Sequence, residues 1–277
     1  MNHRLAPTPF TDVNFVLDHF RSQLQALLDS ELVGIYLVGS LALGDFNPRS
    51  SDIDFVVVTS TEIDPDRFTA LQHVHAQFAA SNSPWAEKIE AIYVPASALR
   101  HSATNTSHYP QIEKGTSLFL APLEDGWVFQ CLTIRDQSVS IIGPDSRTLV
   151  APIETQELHA AATMIVGRWI QQAAHDPTWL LWLRQAEAQV FVVQTLCRLR
   201  YSLATGTVAS KPRATEWARK NYGEPWASFI EQSLTKHHGS GNISQGEENT
   251  TLAFLTFILE EIQRSAAAIR SRTQNAS

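Results

Sequence analysis

GSLALGDFNPRSSDID, residues 39 to 54, lies between two short apolar runs, IYLV at 35–38 and FVVV at 55–58. A Gly-Ser pair follows the first run directly, eleven residues separate Ser40 from Asp52, and Asp52 and Asp54 flank a single isoleucine. Both runs are short and rich in β-branched or aromatic residues, as strands are, and the Gly, Asn, Pro and Ser residues between them mark a connection. On a strand, side chains two apart point to the same side. Asp52 and Asp54 therefore present their carboxylates together while Ile53 and Phe55 face the other way. Carboxylates held so closely repel unless they share a cation, and hard oxygen donors suit Mg²⁺ bridging to substrate phosphates. An isolated Asp-x-Asp is more often a solvated turn. Here Gly39 follows a strand, where it lets a phosphate approach main-chain N–H groups, and the Ser40 hydroxyl adds a donor.

The surroundings extend the pattern. Val13, Phe15, Val16, Leu17, Phe20, Leu24, Leu27 and Leu28 recur at mostly helical spacings, which predicts a helix over 11–32 that Gly34 ends. Residues 53–58 read as the second strand, 68–80 as a helix and 88–94 as a third strand, the outline of a small α/β domain. In EKIEAIYV, Glu90 is a carboxylate among apolar neighbours on that third strand, and unpaired charges are not buried without a reason. Glu87, at the strand's start, reads as the solvated competitor. HSATNTSHYPQIEKGT, 101–116, reads as a loop, whereas 128–134 and 139–142 fit either a short helix or strands. GPDSRTLVAPI reads as a linker. Beyond it the pattern is helical over 154–174, 178–205, 213–221, 225–236 and 247–270, with a flexible polar loop at 236–249. The expected domains are 1–150 and 151–277.

Composition narrows the function classes. The 277 residues are 44% hydrophobic and 18% charged, enough for sizeable cores. With 21 basic against 28 acidic residues the formal charge is −7, which argues against a nucleic-acid partner because phosphate backbones need clustered Lys and Arg. No signal-like segment opens the chain and no run of about 20 apolar residues follows, so no membrane partner and a cytoplasmic location are expected. Cys131 and Cys197 match no metal or redox spacing and read as two buried thiols. A monomer is the expected state.

Strand, Gly-Ser, Asp-x-Asp and strand together closely resemble the nucleotidyltransferase superfamily. TLCRLRYSLATGTVASKPRATEWA, 195–218, resembles the C-terminal signature of the aminoglycoside adenylyltransferases that act on streptomycin and spectinomycin, through Arg198, Tyr201, Thr205, Gly206, Lys211, Trp217 and Ala218. The resemblance implies an α/β nucleotidyltransferase domain with a mixed sheet, followed by an all-α helical bundle. It further implies a Mg²⁺-dependent enzyme moving AMP from ATP to a hydroxyl of a small, cationic acceptor such as spectinomycin. An antitoxin-like enzyme of the same superfamily, modifying a protein partner with AMP, is the alternative. In the roles the resemblance implies, Asp52 and Asp54 hold metal and Glu90 accepts the acceptor's proton. Gly39, Ser40 and Ser51 hold the nucleotide phosphates, joined by Lys211 from the second domain. Gly206 reads as a helix cap and Ser210 as the start of the next helix, so Lys211 falls at a helix N-terminus, where phosphates bind well. Trp217 reads as core packing. Two departures stand out: the family's acidic residue falls at Ala188 and its nucleotide-contacting asparagine at Phe191. Glu187 is the substitute acid for acceptor binding, and His237 stands where the family has a tyrosine near the nucleotide. The departures count against streptomycin and leave spectinomycin or an unrelated hydroxylated compound open.

Overall fold

The computed structural model describes residues 6–100, 107–235 and 241–275, and the chain divides into two compact units, Met1–Pro152 and Ile153–Ser277. In the first, helix α1 (Thr11–Leu28) buries Val13, Val16, Leu17, Phe20, Leu24 and Leu28, an apolar stripe at helical spacing. The helix stops at Leu28, short of the expected 32, because Asp29 takes a positive φ of 44° and a 3₁₀ turn over Asp29–Glu31 intervenes. Gly34 is no helix stop but lies inside strand β1 (Leu32–Leu37), opposite Val58.

The chain continues through a five-residue helix α2 (Gly39–Leu43), β2 (Ile53–Thr59), α3 (Pro65–Ala79) and β3 (Ile89–Pro95). Asp64 caps α3 by accepting the Arg67 N–H at 2.9 Å, and Pro65 opens the helix, where its missing N–H costs nothing. Next come β4 (His108–Ile112), β5 (Phe119–Pro122), α4 (Trp127–Gln137), β6 (Val139–Ile142) and the short α5 (Ser146–Leu149). Among the described residues the sheet is six-stranded, in the order β5-β4-β3-β2-β1-β6. β2 and β3 are parallel and joined through α3; the other neighbours are antiparallel. The sheet is thus mixed. Ile53, Phe55 and Val57 of β2 and Ile89, Ala91 and Tyr93 of β3 meet α1 and α3 in the main core.

Two expectations change here. The stretch 101–116 is not all loop, since β4 pairs with both β3 and β5. Its Pro110 lies on an interior strand, a placement against which proline ordinarily argues. Residues 128–134 resolve as helix and 139–142 as strand.

The second unit comprises α6 (Thr155–His175), α7 (Pro177–Leu183), α8 (Ala186–Thr205), α9 (Lys211–Asn221), α10 (Trp226–Thr235) and α11 (Gln245–Asn275). The helix expected over 178–205 is two, because Gln185 is extended and pairs with Asn242 while Arg184 O accepts the Ile243 N–H at 2.7 Å. Residues 245–249 are the first turn of α11 rather than loop. The buried Arg200 is fully engaged: Nε donates to Tyr222 at 3.1 Å, and its other nitrogens reach Ser265 and Glu261 at 3.3 and 3.4 Å. A buried charge is tolerated on those terms.

Candidate active site

At the end of β1 the chain turns sharply and returns alongside itself. The Val38 N–H donates to Asp54 O at 2.9 Å, and α2 fits into the turn between them. Gly39 adopts φ +60°, and a Cβ there would lie 2.1 Å from Asp54 Oδ2. Only glycine satisfies both the left-handed backbone and the approach of that carboxylate. Ser40 follows, half-buried, in the first turn of α2. Ser51 sits at the far end of the connection, where its hydroxyl accepts the Asn47 N–H at 3.0 Å and its own N–H donates to Asn47 O at 2.8 Å. Ser51 closes that turn.

β2 and β3 run in parallel register with Asp54 opposite Glu90. Adjacent strands lie about 4.8 Å apart, and on both strands the flanking residues Ile53, Phe55, Ile89 and Ala91 enter the core. Alternation therefore puts Asp54 and Glu90 side by side on the opposite face of the sheet. Glu87 is exposed and precedes the strand. Glu90, not Glu87, is the acid that the sheet places beside the aspartates.

Asp52 lies one residue before β2. Lys114 Nζ approaches its Oδ1 to 3.0 Å, yet that buried oxygen accepts no hydrogen bond. Lys114 projects from a turn between β4 and β5 in which Gly115 takes φ +70° and the Thr116 N–H returns to Glu113 O at 3.0 Å. The Gly115 N–H donates to Glu87 O at 3.1 Å, tying this turn to the approach to β3. Sequence reading missed Lys114, although the Lys-Gly-Thr triplet carried the turn signal. Lys88 was missed too: its ammonium lies 3.4 and 3.3 Å from Pro48 O and Arg49 O, holding the segment that leads into Asp52.

Among the described residues no three His, Cys, Asp or Glu side chains already converge as a metal centre. The donors nonetheless fit a hard divalent cation. They are carboxylate oxygens at the ends of two adjacent strands, and one of them, Asp52 Oδ1, is buried without a hydrogen-bond donor.

In the helical unit, Gly206 ends α8 in the left-handed conformation, and the Ser210 hydroxyl caps α9 by accepting the Arg213 N–H at 3.4 Å. Lys211 is the first residue of α9 and is exposed. Much of the surrounding motif is structural: Arg198 Nε donates to Ala209 O at 3.2 Å, and Trp217 packs edge-on against Tyr201 and Tyr222. On α8, Ala188 is buried while Glu187 is exposed on the same face as Phe191, four residues on. The one-residue offset turns Glu187 by about 100° from the position Ala188 occupies. His237 lies outside the described residues.

Comparison with known proteins matches these two units separately. A family model described as "Nucleotidyltransferase domain" matches residues 17–97, and one described as "Aminoglycoside adenylyltransferase, C-terminal domain" matches residues 148–261. An aminoglycoside (3'') (9) adenylyltransferase of Shigella flexneri is 23% identical over 265 residues, covering 91% of this chain and 96% of the relative. Its namesake from Escherichia coli is 26% identical over 240 residues, covering 82% and 86%. A crystal structure of the spectinomycin adenyltransferase from Enterococcus faecialis with ATP and spectinomycin matches with a TM-score of 0.64 over 88% of this chain and 98% of that one. At 16% identity that likeness is one of fold. With the nucleotidyltransferase-domain match first and the adenylyltransferase C-terminal-domain match second, the chain is similar to the aminoglycoside adenylyltransferases in both units and in their order.

Proposed function

We propose that the protein transfers AMP from ATP to a hydroxyl of an aminoglycoside or aminocyclitol acceptor, with spectinomycin the first candidate. The observation that carries this reading is the parallel pairing that sets Glu90 beside Asp54, with Gly39 packed against the same carboxylate. The names of the relatives, which act on aminoglycosides, and the spectinomycin in the related structure support the acceptor class.

Asp52 and Asp54 are the residues that would hold Mg²⁺, which when bound supplies positive charge against the triphosphate and the departing pyrophosphate. Glu90 accepts the proton of the acceptor hydroxyl as its oxygen bonds to the α-phosphorus and the bond to pyrophosphate breaks. Gly39 leaves the backbone open to the phosphates and Ser40 offers its hydroxyl. Ser51 contributes by fixing the turn before Asp52. Lys211 is an exposed ammonium at a helix start, suited to a phosphate oxygen, and Glu187 is an exposed acid suited to a cationic acceptor.

The test is to incubate the purified protein with ATP, Mg²⁺ and, separately, spectinomycin and streptomycin, and to seek an AMP adduct by mass spectrometry. An adduct on spectinomycin is expected, and none from Glu90→Gln. Absence of any adduct with ATP binding intact would overturn the acceptor class.

A further inference from the structure

The ion pair between Lys114 and Asp52 has no part in the chemistry proposed above, and it occupies one of the oxygens a metal would use. Asp52 Oδ1 is buried and receives no hydrogen bond, so the ammonium 3.0 Å away is the charge that neutralises it. The Lys114 side chain is 51% exposed and can leave; the Asp52 side chain, at 21%, cannot follow it into water. The turn that carries Lys114 is closed by the Thr116 and Gly115 backbone bonds, so the ammonium stays tethered within reach of this oxygen.

We infer that Lys114 is a displaceable internal counter-ion of the nucleotide site, holding the place of the divalent cation at Asp52 until that cation arrives. This rests on the reading of Asp52 as a metal ligand. A monovalent and a divalent cation at one carboxylate oxygen repel each other, so metal entering alone must expel Lys114. When a triphosphate arrives with the metal, the expelled ammonium meets phosphate oxygens instead of bare solvent. Lys114 thus weakens binding of the free metal and favours its arrival together with the nucleotide.

The experiment titrates Mn²⁺ alone onto the full chain at low ionic strength, without nucleotide, and follows free Mn²⁺ by electron paramagnetic resonance. Lys114→Met should bind Mn²⁺ about threefold more tightly than the native chain, the factor that corresponds to a partly exposed ion pair. Lys114→Gln should behave likewise. In an Asp52→Asn background, Lys114→Met should change nothing further. Unchanged or weaker Mn²⁺ binding by Lys114→Met and Lys114→Gln overturns the inference. Mn²⁺ binding undiminished by Asp52→Asn overturns instead the metal reading of Asp52, and the inference with it.

Discussion

At Gly39 the residue type is dictated by a neighbour as much as by the turn. A methyl group there would meet Asp54 Oδ2 at 2.1 Å, and the φ of +60° adds about 1 kcal/mol of strain for any L side chain. Gly39→Ala should therefore leave the chain folded but shift Asp54, lowering AMP transfer by about 10²-fold, as kinetics beside a circular dichroism melt would show. Glu90→Gln should suppress transfer by about 10²–10⁴-fold while ATP affinity, measured calorimetrically, holds. Were Glu87→Gln the inactive variant instead, the assignment of the base would fall. His75 serves as a probe of the core. It is buried, its Nε2 lies 2.7 Å from the Tyr93 hydroxyl, and desolvation lowers its pKa from 6.5 to about 4. Between those values the unfolded chain binds a proton that the folded chain refuses. Stability is lost as pH falls through that window, by up to about 3 kcal/mol for this group. Denaturant melts between pH 7 and 4 should show a shallower decline for His75→Gln.

Among the elements, those with a single period were legible and those that depend on distant partners were not. The stripe of α1, the alternation around Asp54 and the cap at Gly206 can be read locally. The break between α7 and α8 cannot, because nothing in LRQAEA interrupts a helical pattern; Gln185 is extended, and its neighbours Ala186 and Arg184 make backbone bonds to Gly241 and Ile243. β4 escaped notice because Pro110 and its polar neighbours mimic a loop, and only pairing on both edges makes it a strand. The start of α11 was readable but overlooked. Ser244 and Glu247 form a reciprocal capping box, with the Ser244 N–H donating to the Glu247 carboxylate at 2.7 Å and the Glu247 N–H to the Ser244 hydroxyl at 3.4 Å. Ser244→Ala should cost about 1 kcal/mol in a urea melt, with activity unchanged at temperatures well below the transition.

Across the whole molecule, the candidate carboxylates and Gly39 lie in the first unit; the Gly-Ser and Asp-x-Asp pattern was legible from its spacing, and Glu90 as a lone acid among apolar neighbours. Lys114 was not, because it is brought to Asp52 by a hairpin about sixty residues further along the chain. Both cysteines lie deep in their respective units, and burial pushes the Cys197 thiol up to about 12. A thiol reagent should therefore label neither in the native protein and both in guanidinium; fast native labelling of either would contradict the packing of that unit. The pairing of Asp54 with Glu90 carries one last consequence, for how such a chain tolerates gain or loss of residues. A strand advances about 3.3 Å per residue and reverses its faces at each step. One residue inserted between Phe55 and Val58 would throw the rest of β2 out of phase with β3, whereas one inserted among the exposed residues 47–50 leaves the two acids aligned. Length variation among descendants of this chain should therefore collect in the 44–50 connection and spare the two central strands.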